Sequence, residues 1–460
     1  MIGIQNASVV KAGKTLFKNL SWTIQPGEHW VITGPNGSGK TLLLELLAGV
    51  AHPSQGEVIY SFITGSTWQE RYDQRRQNIH YIPAHAIQSF LQNYELFYQQ
   101  RYYSIGDERT PKVKDLFGDN LQHLHDLNFP ESFNIDALLD LDVTRLSNGQ
   151  LKKVLILRNM VTGLPRVLLC DYPFEGLDHV SRIDLAAFID HLARTFGITI
   201  IVVDHDHHLP AVINRRLVLK DLQILTGENV QPSGGTKVLD PITRVDNPPV
   251  NPVVEMKNIT IRYGEKDIIK DLSWVINRGE RWALTGKNGS GKTTLFSLIF
   301  ADHPMAYSQQ VYLFGKRRGS GESIWDIKRR INYLGPELIN YLNPGSITIS
   351  AREYIRSQNK NVTPETLRRA LEHFDVAHFI DSPVRTLSSG QAQLMLIIGS
   401  LMTGKELLLL DEPFQFLDPE QKERVSTYLQ EHLHEDSTLI LITHYEHDIM
   451  HWTSKRMHIG

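Results

Sequence analysis

An α/β architecture built twice along one chain of 460 residues is the fold class that the sequence predicts. Three observations lead there. Gly34-Pro35-Asn36-Gly37-Ser38-Gly39-Lys40-Thr41 recurs as Gly286-Lys287-Asn288-Gly289-Ser290-Gly291-Lys292-Thr293, with Lys292 lying 252 residues (292 − 40) beyond Lys40. Each copy follows an apolar run (Trp30-Val31-Ile32-Thr33; Trp282-Ala283-Leu284-Thr285) and opens a helical pattern (Leu42-Leu43-Leu44-Glu45-Leu46-Leu47; Thr294-Leu295-Phe296-Ser297-Leu298-Ile299), the strand, loop and helix order of a phosphate-binding loop. The same offset holds without a gap where Asn19-Leu20-Ser21-Trp22 aligns with Asp271-Leu272-Ser273-Trp274, so the repeat extends well beyond the loop.

Both loops fit G-x-x-x-x-G-K-[ST]. Gly34, Gly37 and Gly39, like Gly286, Gly289 and Gly291, let the backbone curl so that its N–H groups converge on phosphates. Lys40 and Lys292 then reach the β- and γ-phosphates, and the hydroxyls of Thr41 and Thr293 are Mg²⁺ ligands. Asn36, Asn288 and Thr294 complete the nucleotide-binding residues expected in the two loops.

Length divides into halves of roughly 225 residues, each able to bury its own core. The expected organisation is a first domain over 1–226, a linker over 227–253 and a second domain over 254–460. The linker reads as polar and extended from Gln231-Pro232-Ser233-Gly234-Gly235 and Asn247-Pro248-Pro249-Val250-Asn251-Pro252. A net charge of −3 and a pI near 6.7 give no global basic field of the kind that marks constitutive nucleic-acid binders. The single cysteine, Cys170, excludes an internal disulfide, an iron–sulfur cluster and a Cys₄ zinc site, and its apolar surroundings Val167-Leu168-Leu169 mark a buried core thiol. No apolar run approaches the ~20 residues that span a bilayer, and the N-terminus lacks the pattern of a signal peptide. The expectation is a cytoplasmic chain that meets a membrane only through a permease partner, on its inner face.

Downstream of each loop come Leu146-Ser147-Asn148-Gly149-Gln150 and Leu387-Ser388-Ser389-Gly390-Gln391. Buried-type strands then end in an acid at Asp171 and Asp411, turns follow with Asp178 and Asp418, and β-branched strands deliver His205 and His444. This order resembles that of ATP-binding-cassette (ABC) ATPases, in which the LSGGQ signature, Walker B strand, D-loop and H-switch succeed one another. The resemblance covers nearly the whole chain. It implies two P-loop NTPase domains, each with a mainly parallel sheet core, an antiparallel β part and a helical signature subdomain. It also implies ATP and Mg²⁺ as cofactors, with Thr41, Asp171, Thr293 and Asp411 at the metal.

In this family the signature, at a helix N-terminus suited to an anion, binds nucleotide held by the opposite domain. The resemblance therefore implies one site joining Lys40, Thr41, Asp171 and His205 to Ser388 and Gly390, and another joining Lys292, Thr293, Asp411 and His444 to Ser147 and Gly149. A monomer that pairs its own domains is the expected working unit.

The two halves are not equivalent. Glu412 follows the Walker B aspartate in the second, where the family places the carboxylate that orients water, but the first has Tyr172. A phenol of pKa ~10 is ionised in about one molecule in a thousand at pH 7 and is a poor base. The adenine-stacking aromatic is Tyr263 in the second half, and the gapless alignment puts Lys11 there in the first. Hydrolysis is thus expected at Lys292, Glu412 and His444, with the first domain degenerate. In both halves the Q-loop glutamine, which couples transporters to their membrane subunit, is replaced, by Ala84 and Pro336, with His85 and Glu337 beside them.

Domain 1 is longer between loop and signature, 106 residues (146 − 40) against 95 (387 − 292), and its surplus holds Tyr94-Glu95-Leu96-Phe97-Tyr98-Gln99-Gln100-Arg101-Tyr102-Tyr103. Such aromatics with arginine suit base stacking, but without a basic field an aromatic face packed in a helical subdomain is the preferred reading. His207 and His208 after His205 have a metal-like density, yet the strand position already accounts for His205. The segments from Ala301 to Ser308 and from Leu313 to Lys328 resemble a tandem family member associated with molybdate transport and photorepair. That implies support of transport, with molybdate as cargo. The alternative is a non-transport clamp or regulator acting on nucleic acid, ribosome or a stress response. The stretch 227–253 lacks the long charged helix of ABC translation factors, and the single cysteine excludes ribosome-recycling members.

Overall fold

The computed structural model describes residues 1–11, 14–87, 90, 111–143, 146–204, 209–220, 222–225, 252–263, 266–287, 289–300, 302–336, 338, 342, 348–358, 362–402, 404–433, 436–444 and 446–460. The chain divides into two compact units, Met1–Gln231 and Pro232–Gly460. The division falls inside the expected linker, of which 227–251 lie outside the described residues. Pro252 and Val253 correct the expected boundary. They already belong to a strand, because Val253 is buried in the core of unit 2.

In unit 1, β1 (Ile2–Lys11) pairs antiparallel with β2 (Lys14–Ile24) and β4 (Gln55–Tyr60), forming a three-stranded sheet. A second sheet runs β5 (Ile79–Ile82), β6 (Val167–Asp171), β7 (Thr199–Val203), β3 (Trp30–Thr33), β8 (Arg215–Lys220), β9 (Gln223–Leu225), parallel except for β9. All five residues of β6 are buried, as expected for a strand covered on both faces. Its side chains alternate between two cores. Val167 and Leu169 join the antiparallel sheet and Leu43, Leu44, Leu46 and Leu47 of the phosphate-loop helix Lys40–Ala48. Leu168 and Cys170 face the opposite core, built from the signature helix Asn148–Met160 and the helix His179–Phe196. Burial pushes the Cys170 thiol up to about 12, as befits a core residue.

Unit 2 repeats the plan. Its antiparallel sheet has the order β11 (Lys266–Asn277), β10 (Pro252–Tyr263), β13 (Gln310–Leu313), β14 (Lys316–Arg317). Its parallel sheet runs β15 (Ile331–Leu334), β16 (Leu407–Asp411), β17 (Thr438–Ile442), β12 (Arg281–Gly286), β18 (Lys455–Ile459). Leu407 and Leu409 face the loop helix Lys292–Ile299, and Leu408 and Leu410 face the signature helix Ser389–Leu401. The helices Ala351–Gln358 and Pro364–His373 add Ala351, Ile355, Leu367, Ala370 and Leu371 to that second core, an apolar stripe at helical spacing. No described helix is long and apolar enough to cross a membrane. The aromatic stretch 94–103 lies outside the described residues.

Candidate functional site

Each phosphate loop is held shut by backbone that only glycine can supply. Gly34 has φ 141° and Gly286 φ 151°, and a Cβ on either would meet a carbonyl oxygen of the neighbouring strand, Leu219 O at 2.0 Å or Ile459 O at 2.2 Å. The loops then turn through Gly37 and Gly289, and Gly39 and Gly291 enter the helices in left-handed conformation. Lys40 Nζ donates to Gly34 O (2.7 Å) and Pro35 O (2.8 Å), and Lys292 Nζ to Gly286 O (2.8 Å) and Lys287 O (2.9 Å). Both ammonium groups are thus buried at the mouth of the curl. Ser38 Oγ and Ser290 Oγ, at matching positions, are buried without a hydrogen-bond partner, which suits a loop built to receive a polar ligand. Asn36 lies in the first loop, Thr294 is buried in the first turn of the second helix, and Asn288 lies outside the described residues.

The Walker B aspartates end β6 and β16 beside the loop helices. Thr41 Oγ1 donates to Asp171 Oδ2 at 2.8 Å, and Thr293 Oγ1 to Asp411 Oδ2 at 3.1 Å. A hydroxyl and a carboxylate so placed can share one hard cation, and this donor set matches Mg²⁺. Burial pushes Asp171 up to about 6, opposed by the Thr41 hydrogen bond and the Lys40 charge. An added cation at this carboxylate would favour its ionised form.

The next residue separates the units chemically while leaving the backbone alike. Tyr172 N–H donates to Val203 O at 2.8 Å and Glu412 N–H to Ile442 O at 2.9 Å, with φ 49° and 48°. Non-glycine residues rarely adopt this left-handed region, and its appearance in both units is strain retained at the site. Glu412 Oε1 lies 3.5 Å from His444 Nε2, so a carboxylate and an imidazole converge in unit 2. In unit 1 the Tyr172 phenol ring lies 6.0 Å from Lys40 Nζ, and His205, His207 and His208 lie outside the described residues.

The signature serines cap their helices. Ser147 Oγ accepts from Gln150 N–H and Gln150 Oε1 from Ser147 N–H (3.2 and 2.8 Å); Ser388 and Gln391 repeat the pair at 3.3 and 3.0 Å. Gly149 and Gly390 are buried at the second helical position, and a Cβ on Gly149 would come within 3.0 Å of Ser181 Cβ. Asp178 and Asp418, expected as D-loop residues, also cap the helices that follow by accepting from Ser181 and Gln421 N–H, each at 2.8 Å. Lys11 and Tyr263 close equivalent hairpin ends, paired with Lys14 and Lys266, which supports the gapless alignment; their side chains lie outside the described residues. Ala84 and Pro336 follow β5 and β15, His85 is exposed, and Glu337 lies outside the described residues.

Sequence reading missed Lys152. Its ammonium is buried under the Tyr172 turn, where unit 2 carries Gln393. The available signal was the exchange of lysine for glutamine five residues after the signature serine.

The ABC transporter family profile matches residues 17–175 and 269–415. An uncharacterised ABC transporter ATP-binding protein of Schizosaccharomyces pombe is 29% identical over 482 residues, spanning 99% of this chain and 96% of the relative. The ABC transporter ATP-binding protein ModF of Escherichia coli is 29% identical over 466 residues, spanning 93% and 90%. Among solved structures, archaeal ABCE1 in a ribosome-bound assembly with Pelota superposes with a TM-score of 0.61 at 21% identity, over 95% of this chain and 73% of that one. RNase-L Inhibitor gives 0.54 at 20%, over 99% and 88%. At these identities the structures speak for the fold, and the two profile matches, falling on both phosphate loops and both Walker B strands, speak for the family. The chain belongs to the ABC transporter ATP-binding family and is a tandem ATPase with two ATP-binding cassettes.

Proposed function

We propose that unit 2 is the hydrolytic cassette and that unit 1 holds nucleotide with little turnover. The carrying observation is the 3.5 Å approach of Glu412 to His444 in unit 2, set against a phenol on the same backbone position in unit 1. Lys292 and the N–H groups of Gly289 and Gly291 receive the phosphates, and Lys40 with Gly37 and Gly39 does the same in unit 1. Thr293 with Asp411, and Thr41 with Asp171, would hold Mg²⁺, which would supply charge neutralisation at the phosphates. Glu412 accepts a hydrogen bond from the attacking water and orients it, and His444 donates toward the γ-phosphate. Gly149 and Gly390 present N–H groups at helix N-termini for a γ-phosphate, beside the hydroxyls of Ser147 and Ser388, and Tyr263 stacks on adenine. Replacing Glu412 by glutamine and measuring phosphate release tests this division of labour.

The physiological load we propose is transport, with a membrane permease as partner and molybdate as the cargo implied by the resemblance. Ala84 and Pro336, in place of the coupling glutamine, favour a second reading, a cytoplasmic clamp on nucleic acid or ribosomes. Affinity purification of the Glu412→Gln protein in Mg-ATP from membranes and from cytosol separates them. Recovery of an integral membrane protein supports the first, and recovery of ribosomal or nucleic-acid partners the second.

A further inference from the structure

The turns that carry Tyr172 and Glu412 are fastened in different ways. In unit 1, Lys152 Nζ donates to Pro173 O at 2.6 Å, Glu175 O at 2.8 Å and Tyr172 O at 3.4 Å, so three carbonyls of one turn converge on one buried cation. Glu175, Asp204 and Arg182 are also buried, and their charges act on it. Asp204 Oδ2 in turn accepts from Phe174 N–H at 3.5 Å. The four groups arise from the signature helix, the turn after β6, the end of β7 and the helix that follows the turn. At the matching positions unit 2 has Gln393, Gln415, Thr443 and Lys422. There Gln393 Nε2 donates to one carbonyl of the turn, Pro413 O at 2.6 Å.

A glutamine amide that loses such a bond leaves a neutral group behind, whereas a buried ammonium that loses three leaves a charge stripped of its hydrogen-bond acceptors. Burial lowers Lys152 to about 8, with Glu175 and Asp204 opposing the shift, so the group is still mainly charged at neutral pH. Opening the unit 1 turn away from its signature helix is correspondingly harder.

We infer that Lys152 is a positioning residue that binds the Tyr172 turn to the signature helix, so that unit 1 keeps its nucleotide while the Glu412 turn, which meets the neutral Gln393 amide at the matching place, reopens at each turnover. The inference rests on the reading that unit 1 retains and unit 2 hydrolyses.

Hydrogen exchange of the full-length, nucleotide-free protein tests the fastening without reference to catalysis. Backbone amides over 172–177 should exchange more slowly than those over 412–417, by about tenfold. Lys152→Gln, which installs the residue that unit 2 tolerates, should bring 172–177 to the unit 2 rate and leave β6 unchanged. Lys152→Arg should keep the slow rate, and Gln393→Lys should slow 412–417. Unchanged exchange in Lys152→Gln overturns the fastening. Release of a fluorescent ATP analogue, followed in a Lys292→Ala background so that unit 1 alone binds, should quicken with Lys152→Gln; faster exchange with unchanged release overturns the role in retention. Failure of the underlying reading looks different: Glu412→Gln would keep about half the wild-type turnover while the exchange pattern stood.

Discussion

Glu412→Gln is the substitution that divides the two cassettes most sharply. Glutamine keeps the shape of the side chain and its hydrogen-bonding reach, and at φ 48° it suffers the same backbone strain as the glutamate it replaces. What disappears is a charged acceptor 3.5 Å from His444. Positioned general bases contribute about 10²- to 10⁴-fold, which corresponds to about 3–5 kcal/mol of barrier. Two equal cassettes would lose only half their summed rate, whereas a single working cassette should fall to about one hundredth or less. Tyr172→Phe removes a hydroxyl and keeps the ring beside Lys40, so its rate should stay within about twofold of wild type. The assay is steady-state phosphate release in saturating Mg-ATP, with equilibrium ATP binding measured alongside to show that both loops still fill. Retention of about half the rate in Glu412→Gln, or an equal loss from Tyr172→Phe, would refute the assignment of turnover to unit 2.

Asp411→Asn should abolish Mg²⁺-dependent turnover, because the Thr293 hydroxyl then faces a neutral amide; Asp171→Asn should weaken nucleotide retention and leave most turnover intact, as phosphate release and filter binding would reveal. Gly286→Ala forces a Cβ to within 2.2 Å of Ile459 O at φ 151°, so ATP binding in unit 2 should be lost and stability should fall by about 2 kcal/mol or more, whereas Gly315→Ala, with nothing within 4 Å, should be milder in a thermal melt. Lys152 gives a pH signature. Its folded value of about 8 lies below the ordinary 10.5, so between those values the unfolded chain holds a proton that the folded chain has released, and stability rises with pH across that window by up to about 3 kcal/mol. Denaturant unfolding of wild type should show this rise, and Lys152→Gln should flatten it.

The features legible in the sequence are those whose cause is local. A phosphate loop needs glycines at fixed offsets, and a strand buried on both faces needs a continuous apolar run, so Gly34, Gly286, Val167 to Asp171 and Leu407 to Asp411 announced themselves. The signatures were legible too, as a repeated motif opening a helix, and the folded chain uses their serines as N-caps with the glutamine three residues on. Other features need the folded chain. Nothing local marks Tyr172 and Glu412 as left-handed, since tyrosine and glutamate have no preference for that region; the ladder contact to the next strand holds them there. Lys152 reads as one more solvated cation on a helix until the turn twenty residues away brings three carbonyls around it.

The two units therefore differ least where the chemistry of phosphate binding constrains them and most where a turn must open or stay shut. Both keep the lysine on its loop carbonyls, the hydroxyl on its aspartate and the strained residue after it. A cassette that had simply decayed would be expected to lose the costly parts first, the strained backbone and the buried charges. Unit 1 keeps the strain and carries more buried charge around its turn than unit 2 does, with Lys152, Glu175 and Asp204 against Gln393, Gln415 and Thr443. Retained cost points to retained use: on the reading proposed for unit 1, a site that does not turn over still has to hold, and three carbonyls on a buried ammonium would serve that holding.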